Sequence, residues 1–267
     1  MRASMRKNAM PFVFGLLAGA LGGLMGVGGG IVLIPLLVHV LGTPQHEAQG
    51  TSLAFVTATA LVAAIPYLHQ GNLDLWLALY LALGAVPGVL LGAALARKQT
   101  ARRLRQALGL LMILTAVKIL ITAPAYAGPA HAWPPAWNIL LGAVVGVLGG
   151  LLGVGGGTIL VPVLVLAERF PQHVAQGVSL LMILPTGIVG ALSHARHGHV
   201  VRALLPPLMT GGALGALLGA LLAHRIEAHT LTRIFAIFLL LVSVQMIFGR
   251  GRDTVADSAE LPGGKQR

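Results

Sequence analysis

The chain has 267 residues, 56% hydrophobic and only 9% charged, with a mean hydropathy of +0.86 and a formal charge of +11 at pH 7. Apolar runs of the roughly 20 residues that a spanning helix needs recur along its whole length, which excludes a soluble domain with one anchor. The dyad alternation of a membrane barrel is absent, and the bases lie in short loops and tails with no basic stripe or RNA-binding motif, which leaves membrane helices and argues against nucleic acid.

Met1 to Met10 carries Arg2, Arg6 and Lys7 ahead of an apolar run, like the start of a signal peptide. The segment after it, Pro11 to Gly26, is repeated later in the chain, so we expect it to be retained. From Pro11 to Leu41 the apolar run is broken by Gly28-Gly29-Gly30 and Pro35, which predicts two short helices joined at the glycines. Helices are expected near Gln45 to Tyr67, Leu73 to Ala96 and Leu104 to Ile121, with Arg97, Lys98, Arg102, Arg103 and Arg105 in the loop between the last two. Thr122 to Pro135 holds four prolines and no formal charge, with tryptophans at Trp133 and Trp137, as on an exported side. A second broken segment, Trp137 to Leu166, precedes helices near Gln172 to Leu192, Val201 to Ala223 and Leu231 to Phe248. The polar tail from Arg250 to Arg267 reads as disordered.

The plan is written twice. Gly142 to Leu164 repeats Gly15 to Leu37 at an offset of 127 residues, and the same offset links Pro44-Gln45-His46 to Pro171-Gln172-His173 and Gly84, Gly88, Gly92 to Gly211, Gly215, Gly219. The expected division is a cytoplasmic tail at 1–10, a first membrane repeat at 11–121, an exported-side linker at 122–136, a second membrane repeat at 137–249 and a cytoplasmic tail at 250–267. If each broken segment folds back as a hairpin, the basic loop from Arg97 to Arg105 falls inside, as do Arg196, Arg202, Arg250 and Arg252, as the positive-inside rule requires. Arg225 and Arg233 then fall outside, against the trend. The fold class expected is an all-α polytopic membrane protein of two inverted repeats, each a glycine-tipped broken-helix hairpin plus three transmembrane helices.

Glycines four apart, as at Gly15, Gly19 and Gly23, share a helical face and suit close helix packing. The consecutive runs Gly28-Gly29-Gly30 and Gly155-Gly156-Gly157 serve no packing ridge. They suit a turn with positive φ, and their free N–H groups at the start of a helix, with Thr158 beside the second run, suit an anion. Gln49, Thr51, Ser52, Gln176 and Ser179 put polar groups on the helix after each hairpin, either as links between helices or as a lining of the substrate path. Val178 stands where the first copy has Thr51, and Ile31 where the second has Thr158.

His194, His197 and His199 form a loop cluster without carboxylate or cysteine, which reads as interfacial and not as a metal site. Lys118 reads as a snorkelling cation. All seven acids lie at or outside helix ends, leaving no carboxylate midway through a span for ion coupling. There is no P-loop, nucleophile motif, metal-ligand pair or cysteine, so neither an enzyme nor a cofactor is expected.

The doubled glycine pattern, read in the second copy as Gly146, Gly150, Val154-Gly155-Gly156-Gly157, Pro162 and Leu164, then Gln176-Gly177-Val178-Ser179-Leu180, resembles the sulfite exporter TauE/SafE family of membrane permeases. The resemblance covers nearly the whole chain. It implies a multi-pass permease of a bacterial or archaeal inner membrane that moves small anions such as sulfite or organosulfonates through the lipid bilayer. Alternating access, with export favoured, is the expected mechanism, and a homo-oligomer is compatible with it. A small-anion channel and a non-transporting scaffold remain the alternatives.

Overall fold

The computed structural model describes residues 2–96, 102–122 and 133–248. Most of the linker at 122–136, part of the basic loop and the whole tail at 250–267 lie outside the described residues. All regular structure among the described residues is helical: α1 (Arg2–Met25), α2 (Gly30–Pro35) with a wider π-turn at Leu36–Val40, α3 (Gln45–His69), α4 (Leu75–Ala96), α5 (Arg102–Thr122), α6 (Pro135–Leu152), α7 (Gly157–Leu166), α8 (Gln172–Arg196), α9 (Leu205–Ala223) after a short 3-10 turn, and α10 (Ala228–Phe248).

Among the described residues six helices are long and apolar enough to cross a membrane: α3, α4, α6, α8, the Arg202–Ala223 segment containing α9, and α10. Continuous Pro135–Leu152 qualifies by length and hydropathy, and α5 supplies a further apolar stretch at Leu108–Ile121. Large apolar side chains such as Leu61, Leu91, Leu114, Leu218 and Leu241 remain exposed on the helices. An outer surface this apolar suits lipid rather than water.

The spaced glycines decide which helices touch. A Cβ on Gly15, Gly19 or Gly23 of α1 would run into the carbonyl oxygens of Leu208, Gly212 and Ala216 of α9. In the second copy, Gly142, Gly146 and Gly150 of α6 meet the carbonyls of Leu81, Ala85 and Val89 of α4 in the same way. These are the same contacts with the copies exchanged, since each residue pair maps onto the other at the 127-residue offset. Numbers rise together along both partners, so α1 runs parallel to α9 and α6 to α4. In contrast, Gly187 and Gly190 of α8 approach Thr57 and Leu53 of α3, which makes α3 and α8 antiparallel. The close backbone approach that small residues permit is the main device of helix association where lipid supplies no hydrophobic drive. The copies therefore interlock, each hairpin helix packing on the other copy, with α3 and α8 between them.

Candidate functional site

The site begins with two turns. α1 ends at Met25 and the chain reverses through Gly26–Gly29; α6 ends at Leu152 and reverses through Gly153–Gly156. Gly29 at φ 84° and Gly156 at φ 82° precede the first residues of α2 and α7, in a left-handed conformation that a Cβ disfavours. The turns touch: a Cβ on Gly30 would come within 3.3 Å of Val154 Cα, and one on Gly157 within 3.0 Å of Val27 Cα. The structure thus brings together the two glycine runs that the sequence places 127 residues apart.

Four first-turn donors begin the helices that follow the turns. The N–H groups of Val32 and Leu33 bond to the Gly29 carbonyl, each at 3.1 Å, and those of Ile159 and Leu160 bond to Gly156 at the same distance. Among the described residues Gly30 and Ile31, like Gly157 and Thr158, find no such backbone partner, as first-turn residues do not. Ser52 and Ser179 lie against them: Ser52 Oγ is 2.7 Å from where a Cβ of Gly30 would be, and Ser179 Oγ is 2.6 Å from that of Gly157. Both serines are 0% exposed, and among the described residues neither hydroxyl has a hydrogen-bond partner. A buried unpaired hydroxyl typically costs about 1–3 kcal/mol. The two stand at equivalent places in the copies, each beside the first turn of the helix that follows the glycines.

The glutamines hold the copies together. Gln49 Nε2 donates to the Leu151 carbonyl at 3.1 Å, and Gln176 Nε2 donates to that of Leu24 at 3.2 Å, the same bond with copies exchanged. Gln49 Oε1 is buried without a partner, whereas Gln176 Oε1 accepts from the Tyr67 hydroxyl at 3.0 Å. Thr51 turns away from the junction, its Oγ1 accepting from the N–H of Val201 at 3.0 Å. That bond closes the connection after α8, so Val178 at the equivalent position leaves the junction itself unchanged. Thr158 is buried in the first turn of α7 with no counterpart in α2.

Sequence reasoning missed three features. Thr59 Oγ1 donates to the Gly28 carbonyl at 2.7 Å and fixes the first turn, whereas its counterpart Thr186 bonds only within α8, to Met182 at 2.9 Å. Val56 and Ile183 press on both turns, a Cβ on Gly28 falling 3.1 Å from Val56 Cβ and 3.6 Å from Ile183 Cδ1. Tyr67 is fully buried at the end of α1. The 127-residue offset joins Thr59 to Thr186 and Val56 to Ile183, and that signal was available.

One expectation needs correction. His194 is not in an interfacial loop: α8 continues to Arg196 and His194 is 3% exposed, because Gly50 of α3 leaves room for it. It packs against His199, which stacks in turn near His46, and no group of three or more potential ligands among the described residues could hold a metal. Glu168 does lie outside a helix end, after α7, yet it is fully buried, accepting from the Trp133 N–H at 3.2 Å.

Residues 11–246 match the family described as Sulfite exporter TauE/SafE. The chain belongs to this family. It is 31% identical to the probable membrane transporter protein YunE of Bacillus subtilis, over 88% of this chain and 96% of that one. A probable membrane transporter protein of Xylella fastidiosa is 33% identical over 91% and 95% of the two chains. Sulfite exporter TauE/SafE family protein 3 of Arabidopsis thaliana is 32% identical, but over 43% of this chain and 24% of that one. No solved structure matches the chain. Family and helices together make this a multi-pass membrane transporter, and the paired turns are where its two copies converge.

Proposed function

We propose that the protein moves small sulfur-containing anions, sulfite or organosulfonates, across a bacterial or archaeal inner membrane by alternating access, with the paired turns as the anion site. The observation that carries this reading is the pair of buried, unpartnered hydroxyls of Ser52 and Ser179 beside the first-turn N–H groups of α2 and α7. An oxyanion would satisfy both kinds of donor at once and sit at the positive ends of two helix dipoles. Gly28, Gly29, Gly30, Gly155, Gly156 and Gly157 shape the site, Thr158 and the free Gln49 Oε1 border it, and Gln176 positions it.

With the antiparallel α3 and α8 spanning the bilayer, the copy exchange supports an axis in the membrane plane, which makes the repeats inverted. Both termini are then cytoplasmic. Val56 and Ile183 are fully buried against the turns, which favours a carrier over an open channel: the hairpins must part to admit substrate. An inside-negative potential favours anion export by about 2.3 kcal/mol per charge per 100 mV, which removes the need for a coupling carboxylate midway through a span.

Counterflow of labelled sulfite in proteoliposomes tests this, comparing wild type with the Ser52→Ala, Ser179→Ala double variant. Each hydroxyl bond to a charged group is worth about 1.5–3 kcal/mol, so exchange should fall at least tenfold while insertion is normal. Undiminished exchange in the double variant would overturn the turn site. Gly156→Leu is a weaker probe, because its side chain would press on Val145 as well as block an anion.

A further inference from the structure

A cavity of about 70 Å³ opens beside the turns, between the first hairpin and α10. A water needs about 10–15 Å³ on the same measure, so the space admits several waters or a short aliphatic chain. Its floor belongs to the turns: Ile31 follows Gly30 directly, and Val154 stands between Gly153 and Gly155. Ile34 on one wall and Val242 and Met246 on the other are buried. The rim is polar, with His39 and Gln245 exposed and Gln45 half-buried.

The equivalent positions on the other side are sealed more tightly. Leu152 and Val154 are 8% and 5% exposed, whereas Met25 and Val27 are 1% and 0%; Ile34 is 8% exposed and Val161 0%. Gln45 is half-buried and Gln172 wholly buried. Backbones that repeat have thus left one flank of the junction loose and apolar.

We propose that this cavity is a subsite for the aliphatic portion of a small organic anion whose charged head sits at the turns, and that it sets the preference among such anions. The inference rests on the turns being the anion site. Serine hydroxyls and backbone N–H groups recognise only the oxyanion, which is common to all the candidates. The walls supply what they cannot: an inorganic oxyanion gains nothing from Ile34, Val242 and Met246, whereas each methylene laid against them leaves water. A phospholipid acyl chain is far larger than the space.

The test measures binding to the full-length protein in detergent by thermal shift, using sulfite, methanesulfonate, ethanesulfonate, propanesulfonate and butanesulfonate. Wild type should tighten by about fourfold per added methylene until the cavity is full. Val242→Trp fills the cavity from α10 and Ile34→Phe from the hairpin; in either variant that folds, the ratio of propanesulfonate to methanesulfonate affinity should fall towards one. Binding of sulfite and methanesulfonate without a chain-length gain, or a gain that survives in both filled variants, overturns the subsite and leaves the turn site standing. If folded wild type binds no anion in the series, the turn site falls and the subsite with it. Phospholipid retained by wild type and released by the filled variants, with the anion ratio unchanged, assigns the cavity to lipid and also overturns the proposal.

Discussion

The two glycine turns share a backbone and differ in what secures them. Gly29 and Gly156 have φ of 84° and 82°, and both helices that follow begin with the same pair of bonds to the turn carbonyl. Yet the first turn is fixed from α3 by Thr59 and lies directly against the carbonyl of Ala18, whereas the second has Val145 as its nearest neighbour and receives no bond from Thr186. Duplication preserved the main chain, where glycine leaves few alternatives, and let the side-chain supports drift apart. The difference leaves two unequal turns, one held by a side-chain bond from α3 and one without its equivalent from α8.

The largest effect should come from adding a methyl group to each turn. Gly29→Ala combines a left-handed residue, at about 1–2 kcal/mol, with a collision against rigid backbone that adds about 1–3 kcal/mol. Gly156→Ala should show mostly the first part, since its closest contact, at 2.7 Å, is the side-chain Cγ1 of Val145. Thermal unfolding in detergent reads the gap, and equal losses would break the comparison.

Thr59→Val should destabilise by about 1–3 kcal/mol because the Gly28 carbonyl loses its buried donor, while Thr186→Val should change stability by a few tenths. A larger loss from Thr186→Val would mean the second turn has a support other than its local packing. Smaller still is the effect of a third matched pair. Gly42 at φ 68° corresponds to Arg169 at φ 59°, an uncommon conformation for a side chain. Arg169→Gly should stabilise by up to about 1 kcal/mol and Gly42→Ala should destabilise by a similar amount.

The last difference concerns the ends of the copies. Burial, followed by the charge of a nearby His173, lowers the pKa of His224 below the ordinary imidazole value of 6.5, although its bond to Ala220 opposes this. The unfolded chain then takes up the proton first, so stability is full above pH 6.5 and declines as pH falls through the lower folded value. The weakened part is the contact of the His224 ring with Tyr67, whose hydroxyl reaches Gln176. His224→Gln should flatten the acid side of a stability profile measured from pH 7 to 5; an unchanged slope would place the acid sensitivity elsewhere.

Much of this was legible in the residues. The 127-residue offset marked the duplication, and the consecutive glycines marked the turns, because a helix tolerates spaced glycines far better than adjacent ones. Ser52 and Ser179 stood out as matched polar residues in apolar surroundings. Thr51 shows the limit of that reasoning: a polar residue one position from Ser52 points elsewhere, since successive helical residues do not share a face. Glu168 and His194 show another, for their places near helix ends said nothing of the neighbours that bury them.

The sequence by itself determined that the chain is a doubled set of membrane helices with two broken hairpins, because hydropathy, glycine spacing and repeat offset are properties of short stretches. Only the tertiary structure decided that α1 packs along α9 and α6 along α4, that among the described residues the serines are left without partners, and that one flank of the junction holds a cavity while the equivalent residues are more tightly buried. Those depend on which surfaces meet across more than a hundred residues of chain, and a glycine stripe permits close approach without naming its partner.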